Sequence, residues 1–507
     1  MSKASKLLHF VYPEGAKPKS DLSDSFRWNN TLIAGTDAAR AEDAEVLNLP
    51  NYAPLGAFNE AFLRGAILRA YPGTLIEVEL TQKDRTRGEV VDKDVKTVWI
   101  AEILHMAGYY FLARWLGAPK ADPGFWVHAA NAIVHNVGWC DTKKKHSSCI
   151  FLPPDHIITF KTHNEWADYL LNRVHQRYTL VSNYDDEKAE AYKTKFHVGD
   201  RLEIIHEDDS TCVIPALVKK IIGRRVFLTV SKEDVDKDDF YEKDNLWRDH
   251  SDDLLYYVGF AAEQGYNIRA NKRYKEHTEK IVEALKNGTE PPYDKRDVSR
   301  EKLKEWRENP DCDVPWEKNM VLEIMDRIDT TLYGLKPARV LKVMKHGYLQ
   351  VGPEGTDIEE DSFAIHASST MLFPAGYAEK HNIAILPPKN EGKFTWSSFM
   401  KKTGFKAAPK SFFPDMSSSH VPFQAGMRLE AVDQVEKLIC PVTVKAVKGR
   451  MLHIQFDGWD DSYDQLYDYR SNDLLPIGWC DMQGAILQPP QKVLDNPYEP
   501  KNKKAKN

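Results

Sequence analysis

Gly426-Met-Arg-Leu-Glu430, read with Gly478-Trp479 further on, decides the fold, because both patterns occur four times. The first returns as Gly73-Thr-Leu-Ile-Glu77, Gly199-Asp-Arg-Leu-Glu203 and Asn319-Met-Val-Leu-Glu323. The second returns as Gly138-Trp139, Gly259-Phe260 and Gly376-Tyr377. Successive glutamates lie 126, 120 and 107 residues apart, and successive aromatics 121, 117 and 102. Two unrelated markers whose spacings drift together indicate four tandem copies, and at this length each copy is a domain rather than a short solenoid unit. A chain of 507 residues exceeds what one core organises.

The fourth copy shows the order of elements. Phe394-Thr-Trp-Ser-Ser-Phe-Met-Lys-Lys-Thr-Gly404 has helical apolar spacing ended by glycine. Pro409-Lys-Ser-Phe-Phe-Pro414 reads as an extended arm. Strands are expected at Met427–Val432, Ile439–Val447 and Met451–Phe456, with a tight turn at Lys448-Gly449-Arg450 and closure at Leu487-Gln-Pro-Pro490. Short, closely joined strands suit a small barrel. Arg224-Arg225 and Lys345-His346-Gly347 occupy the equivalent turn in copies two and three. The charged stretches from Arg273 to Asn287 and from Arg300 to Glu308 read as helical arms between barrels, with solvated faces.

Composition narrows the function. No apolar run is long enough to span a bilayer and no signal-peptide pattern is present, so a soluble, non-secreted protein is expected. Six scattered cysteines, never at C-x-x-C spacing, fit a reducing compartment. Cys140, His146 and Cys149 form the one group resembling metal ligands, but a fourth ligand is missing, and a polar loop is the better reading. No metal and no cofactor are expected. A net charge of −6 suits a basic peptide better than DNA, although Lys143-Lys-Lys145-His146 and Lys219-Lys220 with Arg224-Arg225 are local basic clusters. There is no nucleophile elbow, phosphate loop, H-E-x-x-H or dinucleotide fingerprint, which speaks against an enzyme.

The chemistry concentrates in copy four. Phe456, Trp459 and Tyr463 follow a strand, and Asp433 ends the first strand. Three aromatic faces with one carboxylate at the rim make a receptor for an organic cation. The carboxylate needs an N–H to accept, so mono- and dimethyl-lysine are preferred over trimethyl-lysine. The i, i+3, i+7 spacing also fits a buried helix stripe, but Asp457-Gly458 and Asp460-Asp461-Ser462 propagate a helix poorly. Comparison of the copies favours the site. The glutamate marker places His206 and Asp326 opposite Asp433. Counting along the third strand places Trp115, Val230 and Val351 near Phe456, and Ala118, Glu233 and Glu354 near Trp459. The rings beyond Phe456 are particular to copy four, whereas the Gly-aromatic pair is scaffold.

Gly426-Met-Arg-Leu-Glu-Ala-Val-Asp433, Phe456-Asp-Gly-Trp-Asp-Asp-Ser-Tyr463, Pro476-Ile-Gly-Trp-Cys480 and Leu487-Gln-Pro-Pro490 resemble the hallmark segments of the malignant brain tumour (MBT) repeat. The resemblance implies a mainly β protein of four repeats, each a small five-stranded barrel with an exchanged arm, packed as a propeller-like assembly with one appended repeat. The corresponding division is an N-terminal segment 1–23, a divergent repeat 1 at 24–157, degenerate repeats 2 and 3 at 158–270 and 271–390, repeat 4 with the intact cage at 391–493, and a basic disordered tail 494–507. The tail's lysines read either as a nuclear address or as a bland basic end. The resemblance also implies a monomeric, nuclear chromatin reader that binds lower-methylated lysine on histone H3 or H4 tails and contributes to repression with other repressor proteins. The cage positions fall on Asp433, Phe456, Trp459 and Tyr463. Glu436 departs from the family, which often carries asparagine or another small polar residue there. The competing expectation is an interaction scaffold of a repressive complex whose lone cage is vestigial.

Overall fold

The computed structural model describes residues 25–28, 51–58, 69–81, 95–143, 149–175, 177–190, 195–206, 208–242, 246–307, 314–328, 332–355, 357–388, 392–413 and 421–490. The expectations for the 1–23 segment and for the tail lie outside them.

Each repeat is one antiparallel half-barrel sheet. Four strands form a meander and a short fifth returns beside the first, giving the order four-three-two-one-five in all four sheets. In repeat 4 these strands are Arg428–Val432, Ile439–Lys448, Met451–Phe456, Gln465–Asp468 and Leu474–Leu475. The first three lie where alternation placed them. The long second strand carries an irregularity in register in every repeat, between Val444 and Ala446 in repeat 4, which curls the sheet over its core.

The two sequence markers are one device. Glu430 accepts the backbone N–H of Gly478 at 2.7 Å and of Cys480 at 2.9 Å. Glu77 does the same for Gly138 and Cys140, Glu203 for Gly259 and Ala261, and Glu323 for Gly376 and Ala378. The carboxylate satisfies the first free N–H groups of the short helix that begins at each aromatic residue. The chain enters that helix through a left-handed glycine, Gly478 having φ +87°. Burial pushes the Glu203 and Glu430 carboxyls up to about 7 against the pull of these donors.

Arms are exchanged cyclically. The arm before repeat 2 pairs with the first strand of repeat 1 (Leu75 with Thr179), the arm before repeat 3 with that of repeat 2 (Arg201 with Asp297), and the arm before repeat 4 with that of repeat 3 (Val321 with Ala407). The N-terminal arm closes the circle on repeat 4, where Tyr52 pairs with Arg428. Arm aromatics reach the same glutamates: Tyr274 donates to Glu203, Trp396 to Glu323 and Trp28 to Glu430. The helix Lys272–Asn287 is therefore a docked arm with Tyr274, Thr278, Ile281 and Val282 buried, and only its other face is solvated.

Repeats 2, 3 and 4 close a three-bladed propeller. In each, the turn between the second and third strands docks against the short capped helix of another repeat. The repeat 2 turn at Gly223 lies against Gln483 of repeat 4, and the repeat 4 turn at Gly449 against Tyr377 and His381 of repeat 3. The repeat 3 turn at Lys345 bonds Gln264 of repeat 2. Repeat 1 is appended to repeat 4, sharing one core in which Tyr109, Tyr110 and Trp126 lie with Ile477, Trp479 and Met482. There His128 accepts the N–H of Ala130 on Nδ1, so its Nε2 donates to the Gly478 carbonyl at 2.9 Å. Arg224 and Arg225 are buried structural groups, not part of a solvated basic face. Arg224 forks onto Asp249, and Arg225 donates to the Lys437 carbonyl.

Candidate functional site

Sheet topology brings the residues singled out from sequence to one end of repeat 4. Val432 pairs with Ile439 and Val442 with Phe456, so the turn 433–438 and the loop 457–463 leave neighbouring strands at the same edge.

Phe456 is buried in the repeat 4 core, and Trp459 packs half-buried against that core. Tyr463 is 53% exposed, and its ring meets Trp459 edge-on, with centroids 5.0 Å apart and planes at 65°. The two rings form an open aromatic corner. The loop is a turn ending in a 3₁₀ segment, Asp461–Tyr463, and not an amphipathic helix. Asp460 caps the segment by accepting the Ser462 N–H. Two aspartates tether the loop to the sheet. Asp457 holds Arg428 at 2.6 Å and accepts the Thr443 hydroxyl at 2.8 Å. Asp461 accepts Lys445 at 2.9 Å and Gln455 at 2.8 Å.

Asp433 is oriented before any ligand arrives. Its Oδ1 accepts the N–H groups of Val435 at 2.8 Å and Glu436 at 3.3 Å, and the Gln465 amide at 2.9 Å. Gln465 stands two residues beyond Tyr463 and also accepts the Gln434 N–H and the Tyr467 hydroxyl. One side chain thus ties the carboxylate turn to the aromatic loop. Among the described residues no bond engages Oδ2, which is the oxygen available to a ligand N–H. The edge is electronegative: burial and the charges of Asp433 and Asp457 push the Cys440 thiol up to about 12. Glu436 is exposed on the same turn.

Repeats 2 and 3 lack this arrangement for different reasons. In repeat 3, Asp326 matches Asp433, but Lys336 of the same sheet occupies its carboxylate at 2.9 Å. Register moves the repeat 3 alignment by two positions, for Val351 and with it Glu354. Pro353, not Val351, faces Ala338 as Phe456 faces Val442, because the repeat 3 turn 344–347 is two residues longer than its counterparts and the third strand begins only at Tyr348. Trp115 and Val230 hold the equivalent places in repeats 1 and 2, as counting gave. In repeat 2, His206 replaces the aspartate beside Tyr241, its rings 5.4 Å apart. Burial and the Arg269 charge lower its pKa, so it stays neutral and attracts no cation.

Sequence reasoning missed the supports. Trp28 is fully buried and donates to Glu430 at 2.9 Å, while the Arg428 guanidinium lies 4.8 Å over its ring and reaches Asp457 in the aromatic loop. Ala53, Ala57 and Phe58 of the N-terminal arm join the core that contains Phe456. No local signal linked these residues to a site some 400 positions away. The Cys140–His146–Cys149 group falls partly on undescribed positions; Cys140 and Cys149 are buried with their sulfurs 2.6 Å apart.

Four arm-exchanged half-barrels, with an aromatic corner beside a pre-oriented carboxylate on one of them, define a multi-repeat binding module. The chain belongs to the MBT family: the mbt repeat profile matches residues 87–147, 200–275, 320–392 and 427–494. It is 34% identical over 463 residues to protein lin-61 of Caenorhabditis elegans, covering 87% of this chain and 74% of that protein. It is 31% identical to the Polycomb protein Sfmbt of Drosophila melanogaster over 432 residues, which is 83% of this chain and 34% of Sfmbt. The chain thus spans about a third of Sfmbt. The four MBT repeats of that Sfmbt, solved in complex with the peptide RHR(me)KVLR, superpose with a TM-score of 0.71 at 28% identity, covering 92% of this chain and 99% of theirs. As a member of this family the chain is a binding protein and not an enzyme.

Proposed function

We propose that repeat 4 reads methylated lysine on a histone H3 or H4 tail, through Phe456, Trp459 and Tyr463 with Asp433, and that this reading contributes to transcriptional repression in the nucleus. The observation that carries the proposal is the Trp459–Tyr463 corner beside Asp433, whose Oδ1 is committed to three donors. A carboxylate so held loses little entropy on meeting an ammonium, and each ring adds roughly 0.5–2 kcal/mol toward the cation. A ligand that keeps an N–H gains the Oδ2 bond as well, so mono- and dimethyl-lysine rank above trimethyl-lysine. Unmodified lysine is too strongly hydrated to gain from the rings. Glu436 adds negative charge at the rim. The Sfmbt complex with a methyl-lysine peptide and that relative's Polycomb name agree with this reading.

Occupation of the repeat 3 carboxylate Asp326 by Lys336 favours one complementary role. In it, repeats 1 to 3 act as surfaces for other repressor proteins, and the protein itself remains a monomer.

The test is calorimetric titration of RHRKVLR peptides carrying zero to three methyl groups, against the wild type, Trp459→Ala and Asp433→Asn. Methyl-dependent binding lost in Trp459→Ala is expected. Asp433→Asn should flatten the preference for mono- and dimethyl-lysine. Binding indifferent to methylation, or untouched by Trp459→Ala, refutes the cage.

A further inference from the structure

Behind the turn that carries Asp433 and Glu436, at the junction of repeats 2 and 4, lies a cavity of about 210 Å³. Ile222 and Trp247 of repeat 2 face Leu438, Ile439 and Ile486 of repeat 4 across it, with Glu436 at its edge. Leu438 and Ile486 are 45% and 44% exposed, so the apolar lining is open to solvent. The walls are preformed. Trp247 is fixed between Phe227, 5.3 Å away, and the Arg225 guanidinium, 5.6 Å from its ring. Arg225 in turn donates to the Lys437 carbonyl at 2.9 Å, pinning the turn to repeat 2. A small apolar hollow with an aromatic wall fits one branched aliphatic side chain.

We infer that this cavity is a second subsite for the peptide whose methylated lysine enters the cage, and that it receives an aliphatic side chain a few residues away from that lysine. The inference rests on the cage reading. Asp433 and Leu438 are joined by a backbone hydrogen bond of 2.8 Å, so the two mouths flank a single closed turn. An extended peptide advances about 3.3 Å per residue, so a side chain one or two positions from the lysine stays beside the same turn. The exposed Glu436 between them suits a basic peptide and disfavours an acidic one. A ligand gripped at both points gains specificity that three rings and a carboxylate cannot supply, since the cage contacts only one side chain.

The test pairs two dimethylated peptides, RHRK(me2)VLR and RHRK(me2)SSR, each beside its unmethylated form, with the wild type, Ile486→Ser and Trp459→Ala. Ile486 is exposed, so its substitution leaves the core intact, and thermal melting checks this. The wild type should bind the VLR peptide about tenfold more tightly than the SSR peptide, the worth of one buried aliphatic side chain. Ile486→Ser should lose that preference while keeping its dependence on methylation. The methyl NMR signals of Ile222 and Ile486 should shift with VLR and stay still with SSR. Equal affinity of the wild type for both peptides, with methyl dependence intact, overturns the subsite and leaves the cage standing. Shifts at Ile222 and Ile486 without methyl dependence refute the cage and, with it, the coupling of the two subsites.

Discussion

Replacing Trp28 by alanine should loosen the end of repeat 4 that carries the candidate site, although Trp28 lies 400 positions before the first strand of that repeat. The indole is fully buried, donates to Glu430 at 2.9 Å and carries the Arg428 guanidinium 4.8 Å above its ring. Truncating a buried tryptophan costs about 3–5 kcal/mol. Losing the cation–π contact with Arg428 adds about 0.5–2 kcal/mol within that total. Arg428 then loses its platform, and with it the aim of its ion pair with Asp457, which anchors the loop bearing Trp459 and Tyr463. Native-state hydrogen exchange is the appropriate assay, because four repeats need not unfold as one unit. The Gly478 and Cys480 amides, held by Glu430, should exchange faster by about two to three powers of ten, and methyl-peptide affinity should fall as well. Trp28→Phe keeps a ring for Arg428 but loses the indole N–H, so its cost should be about 1–2 kcal/mol. Unchanged exchange at Gly478 and unchanged affinity in Trp28→Ala would refute the claim that the N-terminal arm completes repeat 4.

Glu430→Ala strands three buried donors at about 1–3 kcal/mol each and should abolish folding of repeat 4, while Glu430→Gln should cost less, because its amide oxygen still accepts. Circular dichroism and proteolysis separate the two outcomes. Burial lowers the His128 pKa to about 3. The unfolded chain therefore binds the extra proton first, and stability is lost as pH falls below about 6.5, by up to about 1.4 kcal/mol per pH unit. His128→Gln should remove that slope in denaturation curves measured between pH 6.5 and 5. Lys336→Met leaves the buried Asp326 carboxylate without its cation and should destabilise repeat 3 by about 3 kcal/mol in urea titrations. It should create no second methyl-lysine site, because Pro353 stands where repeat 4 has Phe456, and calorimetry should find a stoichiometry of one.

Repeat number, strand positions and candidate cage residues were all legible in the chain, because each rests on local spacing. Alternation around Leu429 and Ile454 locates strands, and Asp457-Gly458 marks the turn that keeps Trp459 and Tyr463 out of a helix. Alignment across the repeats failed at Val351, because the turn 344–347 is two residues longer than in the other repeats and counting along the third strand begins inside it. Buried Arg224 and Arg225 look like surface charge in the sequence, because their partners Asp249 and the Lys437 carbonyl are distant in the chain.

By itself the sequence determined that four similar domains exist, that one of them bears three rings at the end of one strand and a carboxylate at the end of another, and that glutamate and Gly-aromatic markers travel together. Tertiary structure alone decided why they travel together: a buried carboxylate must be matched by donors, and the helix beginning at each aromatic residue supplies two N–H groups. It also decided that the last repeat is completed by the segments holding Trp28 and Tyr52, that the repeat 3 aspartate is taken by its own lysine, and that a cavity opens beside the turn 433–438. Those facts depend on which surfaces meet. Such meetings are set by burial and charge pairing between segments hundreds of residues apart, over which periodicity carries no information.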